Sequence, residues 1–265
     1  MPWAWVPVVI WAVLATPSRA ITNSELVPER GEIALLILSD TPLNLREYSR
    51  RELNQFSSCT AAFVGPAKLL TAGHCVVGES GRLNVYLAVE HNNAFTLIPL
   101  SRAQTSYVFE TLEDSRAEGS ICHTPNSPLP RTSTPDVALV EVSSPYAASW
   151  LELSDHAPQF GDTVEVYGRG SQTSPFTGHG AFSARDFGLR RFSTTVSKVS
   201  SQRIGMIADP MSPFASDGDS GGPVLFAGKI IGVTSTVSEH CETEFGSDYG
   251  ILNTATLTLG LQLSL

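Results

Sequence analysis

Gly218-Asp219-Ser220-Gly221-Gly222-Pro223-Val224 fixes how the rest of the chain is read. At a few per cent per residue type, so specific a run arises by chance in far fewer than roughly one in a thousand such chains. A tight turn accounts for the glycines and the proline, but a turn does not require Asp-Ser between them. Just downstream, 224–226 and 229–234 are short apolar runs, and Ala227-Gly228 between them reads as a tight hairpin turn. Further strand-like runs lie at 33–38, 61–64, 68–72, 95–99, 137–142 and 163–167. The 21 Gly and 17 Pro are spread along 265 residues, which favours an all-β, turn-rich protein over a helical one. Two polar stretches rich in Pro, Ser and Gly, 118–135 and 168–188, read as long surface loops. No internal repeat is present.

The composition, 42% hydrophobic and 16% charged, is that of a folded globular chain. A formal net charge of −9 with no polybasic patch argues against nucleic-acid binding, which needs a concentrated basic face. Residues 3–15 are almost wholly apolar, and small residues follow at Ser18 and Ala20. The run is too short to span a bilayer and suits a signal-peptide core with cleavage after Ala20. A cut after Ala15 is an alternative. Because no Lys or Arg precedes the run, a buried helix or a membrane anchor is another. No later run approaches transmembrane length, so the cleaved chain is expected to be secreted or periplasmic and free of the membrane. Cys59, Cys75, Cys122 and Cys241 make an even count, which in an exported chain suggests two disulfides.

Two more segments stand out. Thr71-Ala72-Gly73-His74-Cys75 follows an apolar strand, and Asp136-Val137-Ala138-Leu139-Val140 puts an Asp at the head of a strand after a long loop. Taken singly, His74 could be structural and Asp136 could cap a turn after Pro135. Together, and in the order His, Asp, Ser, the three segments resemble the chymotrypsin/trypsin family of serine endopeptidases.

That resemblance implies two antiparallel β-barrels side by side with the active site in the cleft between them. The expected division is a signal peptide over 1–20, a barrel over 21–150 carrying His74 and Asp136, and a barrel over 151–265 carrying Ser220. It also implies a mechanism. A Ser hydroxyl is a poor nucleophile and needs a base; an ordinary imidazole titrates near ~6.5, so His74 can take the Ser220 proton and return it to the leaving amine. Asp136 would fix the tautomer of His74, and the N–H groups of Gly218 and Ser220 would form the oxyanion hole. A new N-terminus at Ile21, exposed by signal cleavage, would pair with Asp219. Thr22, Asn23 and Ser24 depart from the family's usual sequence there.

The resemblance pairs Cys59 with Cys75 and leaves Cys122 for Cys241, since Ser216 stands where the family often has a Cys. A metal site built from Cys122, Cys241, His123 and His240 is the alternative, but neighbours in extended chain point opposite ways and the spacing fits no usual zinc pattern. The specificity pocket falls on Phe214, Ala215, Ser235, Thr236, Val237 and Ser247, with Ser235 also bonding Asp136. Phe214 at the floor, where an Asp would select Arg or Lys, disfavours a trypsin-like preference, and Val237 near the mouth with Ser247 opposite suggests a pocket narrowed for small or medium apolar side chains. Tyr167-Gly168-Arg169-Gly170 is similar to the family's Gly-Trp-Gly strand end, with Arg replacing Trp. The family ends in a helix, whereas 257–265 alternates like a strand. No cofactor and no metal are implied; the partners are protein or peptide substrates and protein inhibitors, and a monomer is expected. A protease-fold binding protein without activity is the rival reading, since the pocket and the N-terminus depart from the family pattern.

Overall fold

The run Ile33–Ser39, written Ile-Ala-Leu-Leu-Ile-Leu-Ser, shows no polar–apolar alternation because both of its faces are buried. The computed structural model describes residues 24–78, 81–105, 136–143, 145–170, 186–199, 203–208, 215–238 and 251–257. The strands are β1 (Glu25–Leu26), β2 (Ile33–Ser39), β3 (Glu47–Ser49), β4 (Ser57–Gly65), β5 (Lys68–Thr71), β6 (Val77–Gly78), β7 (Gly81–Arg82) and β8 (Asn84–His91). They continue as β9 (Ala94–Thr105), β10 (Ala138–Val142), β11 (Thr163–Gly168), β12 (Arg190–Val199), β13 (Arg203–Ala208), β14 (Pro223–Phe226), β15 (Lys229–Ser238) and β16 (Ile251–Leu257). One short helix, α1 (Arg50–Leu53), follows a capping box made by Ser49 and Glu52.

Two closed barrels result. In the first, the spatial order is β10-β5-β4-β2-β8-β9, and β9 pairs back onto β10. In the second, the order is β12-β11-β14-β15-β16-β13, and β13 returns to β12. All these pairings are antiparallel, and closure leaves neither barrel with an open edge. The fold is the all-β double barrel that the resemblance implied.

Alternation along each strand sorts the side chains into separate cores. Leu36, Leu38, Ala61, Phe63, Leu69, Leu87 and Val140 fill the first barrel. Val164, Val166, Phe192, Val196, Ile204, Val224 and Ile231 fill the second. The residues next along the chain face a third cluster that draws on both barrels: Leu70, Val137 and Leu139 meet Tyr167, Leu225, Ile230 and Val233. This apolar seam holds the two barrels together, and the loops that bear the polar site lie at its margin.

Every strand-like run read from the sequence lies on a strand, although 95–99 is only the middle of the twelve-residue β9. β8, β12, β13 and β16 were not foreseen. β12 shows why: it buries Phe192 and Val196 but intersperses Arg191, Ser193 and Thr195. Of the foreseen long loops, 118–135 lies outside the described residues, and Gly168 proves to be the last residue of β11. Of the strand-like tail 257–265, only Leu257 lies within them, at the end of β16.

The hairpin turn between β14 and β15 is closed by the pair Phe226 and Lys229, and Ala227 and Gly228 hold φ of 49° and 81°. Positive φ at both positions is the type I′ geometry that matches strand twist. An L-residue there suffers Cβ–carbonyl crowding of about 1–2 kcal/mol, which exceeds the extra chain entropy of glycine, about 0.5–1 kcal/mol. Ala227→Gly is therefore expected to raise the unfolding free energy by about 0.5–1 kcal/mol, measured as a higher urea midpoint. A lowered midpoint would contradict this account of the turn.

Candidate active site

His74 sits in a single 3-10 turn, Gly73–Cys75, directly after β5. The turn is tied covalently to β4 by the Cys59–Cys75 disulfide, which spans 16 residues of sequence, as the resemblance implied. Asp136 precedes β10 and is 1% exposed. Its carboxylate collects three donors. Oδ1 accepts the His74 backbone N–H over 2.8 Å, and Oδ2 accepts His74 Nδ1 over 2.8 Å and the Ser235 hydroxyl over 2.6 Å. Burial alone would raise the pKa of Asp136, but the hydrogen bond and charge of His74, the Ser235 hydroxyl and the His74 amide outweigh it, and the carboxyl is held below its usual range. An ionised Asp136 places the imidazole proton on Nδ1 and leaves Nε2 as the basic nitrogen. Ser235 comes from β15, so this network joins the two barrels.

Ser220 lies in the turn before β14 and is half-buried. Its carbonyl accepts the Thr60 N–H over 2.8 Å, and Cys75 Sγ lies 3.8 Å from the same oxygen. The turn bearing Ser220 is thus pressed against β4 and the residue beside His74. Gly221 makes this approach possible. It holds φ of 81°, and a Cβ there would stand 2.0 Å from Thr71 Oγ1 and 2.3 Å from the Thr60 carbonyl.

Asp219 is 1% exposed. Its Oδ1 accepts the Gly170 N–H over 2.7 Å, and Oδ2 accepts the N–H and the hydroxyl of Ser216 over 2.8 and 3.2 Å. Burial pushes its pKa up to about 6, against the lowering effect of those donors and of Arg190. The Gly-Arg-Gly spacing follows from this carboxylate. A Cβ at Gly168 would lie 2.0 Å from Asp219 Oδ1, and one at Gly170 would lie 2.7 Å from it.

Arg169, between those glycines, is itself buried. Its guanidinium donates to the carbonyls of Ile33 and Phe187 and pairs with Glu29, tying the segment before β2 to the second barrel. Neither Thr60 nor Arg169 was picked out from the sequence as part of the site. Thr60 is a good strand former inside a β run and gives no signal there. An Arg in a strand-end motif could have signalled a buried, multiply bonded guanidinium.

Among the expected pocket residues, Ala215 is buried next to Ser216, and Thr236 and Val237 continue β15 beyond Ser235. Ile21, Cys122, Phe214, Cys241 and Ser247, together with His123 and His240, lie outside the described residues. The donor atoms of Cys59, His74 and Cys75 fall within 4.8 Å of one another. Both sulfurs are joined in the disulfide and offer no thiolate, so this cluster is a covalent tie and not a metal cradle.

Residues 46–253 match the family model described as Trypsin. A snake venom serine protease from Crotalus durissus durissus is 24% identical over 221 residues, covering 78% of this chain and 79% of that protein. Neuropsin, a serine protease expressed in the limbic system of mouse brain, superposes with a TM-score of 0.55 at 15% identity, covering 89% of this chain and 93% of its own. The structure of GrC gives a TM-score of 0.57 at 17% identity, covering 89% and 94%. The two structures carry the fold and the family model carries the membership: this double-barrelled chain belongs to the trypsin family.

Proposed function

We propose that the chain is an exported serine endopeptidase in which His74, Asp136 and Ser220 form the catalytic triad. The observation that carries this reading is the carboxylate of Asp136, which meets both the backbone and the ring of His74 while Ser235 fills its remaining acceptor position. In that arrangement His74 Nε2 takes the proton from Ser220 Oγ as the oxygen attacks the scissile carbonyl. The N–H groups of Gly218 and Ser220 receive the developing oxyanion. Protonated His74 then gives its proton to the leaving amine, an acyl-enzyme remains on Ser220, and water activated by His74 releases it. Protein or peptide substrates follow from the family. The pocket assigned to Phe214, Ala215, Ser235, Thr236, Val237 and Ser247 is read as favouring a small or medium apolar side chain, which a peptide-library digest tests directly.

Labelling with a fluorophosphonate decides between a peptidase and a protease-fold binding protein. Ser220 is expected to be phosphonylated, and Ser220→Ala is expected to abolish the adduct on mass spectrometry. A chain beginning at Ile21 that takes no label while folded would favour the binding protein.

Asp136, held below its usual range, is ionised at neutral pH and keeps the imidazole proton on Nδ1. Asp136→Asn, which reverses the tautomer, should lower the labelling rate at pH ~7 about 10⁴-fold. An Asn variant of undiminished rate would remove Asp136 from the mechanism.

The same reading gives Asp219 the ammonium of Ile21 as its partner once the signal segment is cut. Without a cation, the native pKa of about 6 exceeds the ordinary 3.8, so below pH ~4 the group is protonated in both folded and unfolded chains and costs nothing. Between pH ~4 and ~6 the folded chain holds the proton more tightly, and stability falls as pH rises. Above that window the buried anion costs about 3 kcal/mol. Relative to the chain beginning at Ile21, one with an extra residue before Ile21 should lose about this much between pH 4 and 7 in urea unfolding. Equal stability of the two at pH 7, or an active mature protein that begins elsewhere, would rule out the pairing.

A further inference from the structure

The two N–H groups assigned to the oxyanion belong to Gly218 and Ser220, and one residue of the opposite barrel binds the carbonyls of both. Thr60 N–H donates to the Ser220 carbonyl over 2.8 Å, and Thr60 Oγ1 donates to the Gly218 carbonyl over 2.8 Å. The hydroxyl has a single proton, and its direction is fixed from behind: the Arg169 N–H donates to Thr60 Oγ1 over 2.9 Å, which commits the proton to Gly218. Thr60 is fully buried, at 0% exposure. Thr71 Oγ1 in turn holds the Thr60 carbonyl over 2.8 Å, so Thr60 cannot turn without breaking bonds on every side.

Gly218 is the residue of this turn that most needs such an anchor. It holds φ of 95°, and without a Cβ its two peptide planes rotate at little steric cost. The carbonyls of Gly218 and Ser220 lie in the peptide planes on either side of the Asp219–Ser220 peptide, so holding both limits how far the Ser220 N–H between them can turn from the oxyanion position. The next amide along, Gly170 N–H, binds Asp219 directly. Consecutive amides at the end of β11 therefore hold the turn from two points, one through the Asp219 carboxylate and one through the Thr60 hydroxyl.

We propose that Thr60 is a positioning residue for acyl transfer, its side-chain hydroxyl locking the Gly218–Asp219 peptide so that the neighbouring Ser220 oxyanion donor is set before substrate arrives. The proposal rests on the reading of Ser220 as nucleophile. Thr60 touches no substrate atom; it acts through Gly218. Its effect belongs to the transition state, where charge develops on the oxygen, and not to substrate binding.

The test uses the intact folded protein, a fluorescent alkyl fluorophosphonate, and a p-nitrophenyl ester. In the labelling step Ser220 Oγ bonds to phosphorus, fluoride leaves, the serine proton passes to His74, and the phosphoryl oxygen occupies the oxyanion position. Thr60→Val, equal in shape but without the hydroxyl, should label about 10–100-fold more slowly, somewhat less than the loss of a whole donor. On the ester, kcat should fall by a like factor while KM changes less than about twofold. Thr60→Ser, which keeps the hydroxyl and drops the methyl, should restore both rates to within about threefold. Should the Val variant fail to fold, Thr60→Ala against Thr60→Ser makes the same comparison, and Ser should label at least about tenfold faster. A Val variant at the wild-type rate, or a Ser variant as slow as Val or Ala, overturns the proposal while leaving the peptidase reading intact. A wild-type chain that labels no faster than Ser220→Ala overturns both.

Discussion

A carboxylate placed almost wholly out of water at Asp219 constrains everything that touches it. Burying an acid without donors is costly, so the surrounding chain must bring hydrogen bonds to it. The Gly170 amide and the amide and hydroxyl of Ser216 do so. For Gly170 to come that close, the end of β11 must carry no side chain toward the acid, which is why glycine occupies both 168 and 170. The turn bearing Ser220 cannot be moved without dismantling this set. Its position is fixed by the residue before Ser220 as much as by Ser220 itself.

The polar groups of the site bond within each barrel and also across the seam. Ser235 of β15 reaches Asp136, Thr60 of β4 reaches Gly218 and Ser220, and the Arg169 amide reaches Thr60. The registration of these groups depends on how the two barrels pack. That packing is set by residues one step along the chain: Leu70 beside Thr71, Val137 beside Asp136, and Tyr167 beside Gly168. Alternation along a strand lets one segment supply an apolar contact to the seam and a polar group to the site. A barrel closed on itself has no loose edge to shear, so the two halves act as rigid blocks joined by an apolar contact and a polar stitch.

The strands legible in the sequence were those with apolar side chains on both faces or an unmistakable turn, such as β2 and the β14–β15 hairpin. β12 escaped notice because it has one buried face and a polar outer face, so that pairing with neighbours and not composition makes the strand; β8, which buries Val85, Tyr86, Leu87 and Ala88 in a row, offers no such reason. His74, Asp136 and Ser220 were legible because each sits in a short motif of unusual residues, and the motifs occur in a telling order. Thr60 and Arg169 were not, because their importance lies in contacts of long sequence separation: Thr60 meets residues 109 and 158 positions away, whereas Ser216 bonds Asp219 only three positions on. A threonine in a strand and a serine in a turn are ordinary wherever they occur. Only the fold shows which of them is locked between two peptide groups.

Asp136 and Asp219 show how two acids of equal burial are set apart. Each is 1% exposed, and burial pushes the pKa of both upward. At Asp136 the partner is an imidazole able to carry a positive charge, joined by the Ser235 hydroxyl and an amide, and the balance falls below the ordinary value. At Asp219 the bonded partners are two amides and a hydroxyl, all neutral, and the guanidinium of Arg190 adds less than any of them. The balance there ends near 6. The acid bonded to the imidazole therefore has its charge stabilised within the described residues, whereas the acid that shapes the turn bearing Ser220 is anionic at neutral pH only at a cost. A cation delivered to Asp219 would remove that cost without touching Asp136 or His74. The fold thus keeps the acid bonded to His74 apart from the acid whose charge decides whether the turn around it is stable.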